Sequence, residues 1–114
     1  MNRMAYLRKE KETVEIDYSI DKVWKTIPKA LKELGCTIEQ NDEAAHHIKA
    51  KTPKGLVSWS STLLIDAKRV DENKTRVSVV AETPVTTISA VIDFGRARRR
   101  IDLLFATMAK KLAK

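Results

Sequence analysis

The stretch DFGRARRRIDLLFATMAKKLAK, residues 93–114, decides how the rest of the chain is arranged. On a helical wheel Phe94, Ala97, Ile101, Leu104, Phe105, Met108 and Leu112 fall on one face. That three-and-four spacing predicts an amphipathic helix, with Asp93 as its cap. A helix of this length spans about 30 Å, enough to lie across a small sheet. Its apolar stripe has to be covered, and the upstream sequence supplies alternating segments suited to that sheet.

Working outward, Val85, Thr86, Thr87 and Ile88 favour extended structure. Ile88 and Ile92 lie far round the wheel from Ile101, Leu104 and Phe105, so a break is expected near Asp93–Gly95. Thr75–Thr83 reads as a strand with Val77, Val79 and Ala81 inward. Leu56–Val70 reads as a long strand with Val57, Trp59, Ser61, Leu63, Ile65 and Ala67 inward. Thr52-Pro53-Lys54-Gly55 is a turn signal, and His46–Thr52 before it alternates with Ile48 and Ala50 inward. Cys36–Gln40 is a further short strand. Val23, Trp24, Ile27, Ala30, Leu31 and Leu34 form one helical stripe, with Ser19 as N-cap, Asp21 in the first turn and Gly35 at the C′ position. Pro28 inside that stripe predicts a kink, or two short helices with Pro28 opening the second. Thr13–Tyr18 reads as the first strand, with Val14, Ile16 and Tyr18 inward.

The expected fold class is therefore α+β: β-α-β-β-β-β-α, a curved antiparallel sheet with both helices on one face. The 114 residues suit one domain over 13–114, preceded by a basic, partly flexible arm at 1–12. No apolar run approaches a membrane span and no signal-peptide pattern opens the chain, so no membrane span is expected. The single Cys36 fits a reducing, cytoplasmic setting. The net charge of +7 suits either solubility or an anionic partner.

The stretch Val14-Glu-Ile-Asp-Tyr-Ser-Ile-Asp-Lys-Val-Trp24 resembles the opening of START-like, or Bet v 1-like, helix-grip proteins (the SRPBCC superfamily). There a first strand runs into a small or polar residue and then a helix bearing a Val-Trp pair. The helix from Asp93 is similar to the one these proteins lay across a curved sheet. The chain is shorter than usual, with room for only four strands after the first helix. It thus looks like a reduced form, the unit shared with the TATA-binding-protein fold. Leu34-Gly35 and Phe94-Gly95 also resemble features of small bacterial proteins of unknown function. The resemblance implies an apolar ligand held between sheet and helix, with less room for a large enclosed cavity.

No catalytic motif is present, and no cofactor is expected. His46 and His47 are neighbours in a predicted strand and point to opposite faces, so they cannot share a metal ion. Cys36 reads as a small buried hydrophobe. Glu15, Asp17, Glu39 and Glu82 occupy outward strand positions. With three Gly in the chain there is no phosphate-binding loop. Candidate pocket residues are Trp24, Trp59, Ser61, Phe105 and Met108, an apolar wall with one polar group. Arg96, Arg98, Arg99 and Arg100 are candidate anion-binding residues, because cations at a helix N-terminus oppose its dipole. An alternative for them is a solvated face with Arg99 paired to Asp102. Leu103, opposite the core stripe, is expected to be exposed and could mark a subunit contact. The leading expectation is a non-enzymatic module binding a small apolar ligand. The alternatives are a nucleic-acid or polyanion binder and a self-associating interaction domain, for example a homodimer.

Overall fold

The computed structural model describes residues 6–53, 61–85 and 96–113. The expected roles of residues 1–5, Val57, Trp59 and the break at Asp93–Gly95 lie outside the described residues. Five strands, β1 (Tyr6–Ile16), β2 (Thr37–Asp42), β3 (His47–Lys51), β4 (Thr62–Asp71) and β5 (Lys74–Val85), make one antiparallel sheet in the order β1-β5-β4-β3-β2. The helices are α1 (Ile20–Glu33), between β1 and β2, and α2 (Arg96–Leu112), after β5.

Strand registers fix the rows that run across the helix-facing side. Ala50, Leu63, Ala81 and Glu10 form one row, Ile48, Ile65, Val79 and Glu12 the next, and Ala67, Val77 and Val14 a third. The β3–β5 members of these rows are buried, and α1 and α2 cover them with Val23, Ile27, Ala30, Leu31, Ile101, Leu104, Met108 and Leu112. Burying an aliphatic side chain of this kind is worth about 1.5–3 kcal/mol, so this layer is the main source of cohesion. The opposite side carries Lys9, Lys11, Arg76, Asp66, Lys68, Lys49 and Lys51 and is wet.

Local chemistry sets the helix ends. Ser19 Oγ accepts the Lys22 N–H at 3.4 Å as N-cap of α1. At the other end Cys36 N–H donates to Leu31 C=O and Gly35 N–H to Lys32 C=O, a Schellman pair, with Gly35 at φ +77°. Pro28 lies inside α1, which runs on as one helix rather than two short ones. Its ring removes one N–H, yet Val23 and Ile27 before it and Ala30 and Leu31 after it bury on one stripe, and that packing holds the helix together.

Two other expectations change. β1 begins at Tyr6, so residues 6–12, expected in the arm, are paired with β5. Lys9-Glu-Lys-Glu12 lacks the apolar alternation of a half-buried strand because its inner positions, Glu10 and Glu12, are carboxylates. His46 is not a strand residue. It closes the β2–β3 turn at φ +51°, and its ring stands edge-on to Trp24, centroids 5.1 Å apart.

Candidate functional site

α2 presents two flanks beside its buried stripe. At 3.6 residues per turn, Arg98, Phe105 and Ala109 share one flank and Arg100, Thr107 and Lys111 the other. The first flank meets the edge strand β1. The second meets α1, where Lys111 Nζ pairs with Glu33 at 2.9 Å.

On the β1 flank, Arg98 ion-pairs with Glu12, donates to the Lys11 carbonyl at 3.5 Å, and lies 3.7 Å from Asp102. Arg98, not Arg99, is thus the partner of Asp102, because the i, i+4 spacing brings the two onto one flank. The carboxylate at Glu12 also offsets a cation in the first turn of α2, where the helix dipole disfavours one. Farther along the same flank an apolar cleft opens between β1 and α2. Val14, Ile16 and Tyr18 line it from the strand side, and Phe105, Ala109 and Leu112 from the helix. Its volume is about 260 Å³. Tyr18 is held firmly: its N–H donates to Ile16 C=O at 2.9 Å, and its C=O accepts from Thr75 Oγ1 at 2.8 Å. The Lys22 ammonium lies 4.5 Å from the centre of the Tyr18 ring.

On the other flank Arg100 Nη1 donates to Ser61 Oγ at 2.5 Å. Ser61 is fully buried, and its N–H donates to Thr52 Oγ1 at 2.8 Å while its C=O accepts the Thr52 N–H at 2.9 Å. Burial pushes the half-buried Cys36 thiol up from its ordinary pKa, and the Arg100 charge pulls it partly back. A thiol held in its neutral form is a poor nucleophile.

The expected pocket residues do not gather in one described cavity. Phe105 lines the β1–α2 cleft. Met108, next to it on the helix face, is fully buried in the core. Trp24 faces His46. Ser61 lies beneath Arg100, and Trp59 is outside the described residues. The arginine cluster is likewise divided: Arg98 turns to β1, Arg100 to Ser61 just before β4, and Arg99 to solvent. The Arg96 side chain is outside what is described. Leu103 is exposed, as its wheel position requires. The sequence reading put Val14, Ile16 and Tyr18 on the inner face but missed Ala109. Its signal was available: a small residue beside Phe105 on the wheel, facing an edge strand.

A second concavity, at the β4–β5 turn, is lined by Asp17, Asp71, Glu72, Asn73 and Lys74. It is the hollow of a hairpin turn that Asp71 stabilises by accepting the Asn73 N–H at 2.8 Å, and its lining residues are polar or charged. Among the described residues no cluster of His, Cys, Asp or Glu has the makings of a metal site, and no helix is long and apolar enough to cross a membrane.

No family model and no curated protein sequence matches this chain. Solved structures do. A norcoclaurine synthase from Thalictrum flavum superposes with a TM-score of 0.76 at 11% identity, covering 98% of each chain. An aromatase/cyclase from Streptomyces sp. R1128 gives 0.71 at 10% identity, over 95% of this chain and 94% of the other. Ara h 8.0201 gives 0.61 at 11% identity, over 96% of this chain and all of its own.

The fold is the one these structures share, a Bet v 1-like antiparallel sheet with a long C-terminal helix laid across it. At these identities the likeness is one of architecture, and it carries over no activity. The long helix contacts both β5 and β1, and the cleft lies between it and β1.

Proposed function

We propose that this chain is a binding module that takes a small apolar ligand into the cleft between β1 and α2. The supporting observation is the cleft itself: an apolar concavity walled by Val14, Ile16, Phe105 and Leu112, with Tyr18 at its end. Concave, largely apolar surfaces with few polar groups are where small ligands bind. The fold is compatible with this reading, and a norcoclaurine synthase of similar fold is seen in complex with dopamine and hydroxybenzaldehyde. No described cluster supplies a nucleophile beside a base, so binding without turnover is the simpler reading. Two of the four arginines offered for a polyanion, Arg98 and Arg100, are already engaged by Glu12 and Ser61.

At roughly 30 Å³ for a water-sized group, the cleft holds about nine such groups, the size of 1-octanol. An NMR titration of the labelled protein with 1-octanol tests the proposal. Saturable shifts are expected at Val14, Ile16, Phe105 and Ala109. Ala109 is exposed on the cleft wall, so Ala109→Trp fills the cleft without disturbing the core. That variant is expected to keep the thermal midpoint and weaken binding at least about tenfold, the loss of one or two buried methylenes' worth of contact. No saturable binding, or equal binding by the variant, overturns the proposal.

A further inference from the structure

The charge at the far end of the cleft says more about the occupant. Tyr18 both lines the cleft and carries the Lys22 ammonium against its ring. Among the described residues no carboxylate stands within ion-pair distance of that ammonium. Its neighbours in sequence are directed elsewhere. Asp17 has the opposite strand parity to Tyr18, and Asp21 is about 100° round the helix from Lys22. Some other exposed cations have acidic partners, Lys9 with Glu82, Arg76 with Glu15, Lys111 with Glu33 and Arg98 with Glu12, whereas Lys22 is the cation beside the cleft.

Lys22 also stands in the first turn of α1, where unpaired N–H groups add positive potential. Asp21 in the same turn offsets part of that potential. The Tyr18 ring lines the cleft and carries the Lys22 ammonium 4.5 Å from its centre. The ammonium is therefore at the cleft end, on a ring whose backbone is fixed on both sides.

The opposite end of the cleft differs. There Arg98 is already matched by Glu12, with Asp102 close by, so an added carboxylate would have to displace one of these and meet the other. Electrostatics thus give the cleft a direction, with its anion-accepting end at Lys22.

We infer, resting on the binding reading above, that the ligand is a short hydrophobic monocarboxylate: its chain lies along Val14, Ile16, Phe105 and Ala109, and its carboxylate is held by Lys22 beside Tyr18. The chain length the volume allows is about eight carbons. The bond is non-covalent, and no proton or electron is transferred.

Octanoate, 1-octanol and octylamine share one chain and differ in head group, so their relative affinities isolate the head-group term. The full chain is titrated with each at neutral pH, by NMR. Octanoate is expected to bind about fivefold tighter than 1-octanol, the size of a good solvent-exposed ion pair, and octylamine more weakly than either. Lys22→Met keeps the stem and removes the charge. It is expected to bring octanoate down to the level of 1-octanol while leaving 1-octanol unchanged. Lys25→Met, on the exposed side of α1, removes the same charge from the whole molecule and is expected to preserve the preference. The inference is overturned, with the binding reading intact, when 1-octanol binds in an Ala109→Trp-sensitive way but octanoate has no advantage, or keeps it in Lys22→Met. A preference for octylamine also overturns it. If none of the three occupies the cleft, both proposals fall.

Discussion

Glu15 and Arg76 stand directly opposite one another on β1 and β5, on the wet side of the sheet. Their side chains meet at 2.8 Å. The hydrogen bond from Arg76 holds the Glu15 carboxyl below its ordinary value, and the Arg76 charge adds to the effect. A carboxyl with a folded pKa lower than its unfolded one stabilises the native state above the unfolded value. That contribution disappears as pH falls from about 4.3, the ordinary glutamate value, through the folded one. Because Glu15 is fully exposed, solvent screens the pair and the effect is small. Comparing urea midpoints of the wild type and Glu15→Gln across this range checks the sign. The wild type is expected to be the more stable at neutral pH, with the gap closing in acid. A gap that widens in acid would contradict the pairing. Arg98 makes the same point about single residues from the other side of the sheet. In the sequence it is one of four arginines in a row of five, a pattern that reads as surface. In the fold its neighbour Glu12 occupies an inward strand position, so the arginine has a fixed partner.

At the scale of elements, the end of α1 separates backbone conformation from packing. Gly35 has φ +77°, and a Cβ built there would meet only Pro53 Cγ at 3.7 Å, an ordinary contact. Gly35→Ala therefore has room but not the right backbone. It is expected to cost about 1–2 kcal/mol, the left-handed penalty for a residue with a Cβ, read as a lower urea midpoint with unchanged slope. Loss of much less would mean that the Schellman turn can relax. This turn was legible in advance, because Leu34-Gly35 follows a clear helical stripe. So were the inward residues of β3, β4 and β5, since strict alternation leaves one face apolar. The start of β1 was not. There the inner face ends in Glu10 and Glu12, and a strand polar on both faces has no period to detect. Of the two expectations at Pro28, a kink or two short helices, the division does not occur, because tertiary burial on either side outweighs local propensity. The cleft was half legible: alternation placed Val14, Ile16 and Tyr18 inward. That a cleft opens between α2 and β1 depends on the relative placement of two elements far apart in sequence, and a single helical wheel does not encode it.

For the whole molecule, an open sheet has two edges, and each could recruit a second copy through backbone pairing. Here β1 and β2 are those edges. β2 is short, mostly exposed, and carries a register shift between Ile38 and Gln40 that disturbs a regular ladder. β1 is longer and regular, so the case rests on its charges. Two copies of β1 pairing antiparallel about a two-fold normal to the sheet must keep inner residues opposite inner residues. Every such register centred on Lys9, Glu10, Lys11 or Glu12 sets that residue against itself, and like charges directly opposite are destabilising. The alternation of sign along Lys9-Glu-Lys-Glu12 does not rescue it, because neighbours of opposite sign lie on opposite faces. These charges thus act against dimerisation through β1. Sedimentation equilibrium at moderate salt is expected to return the mass of one chain. Replacing Lys9 and Lys11 with Thr removes the outer-face repulsion and leaves a β-favouring surface. That variant is expected to associate more strongly with rising concentration, and a wild type that already dimerises through β1, detected as protection of its edge amides from exchange, would show that the charges do not guard the edge.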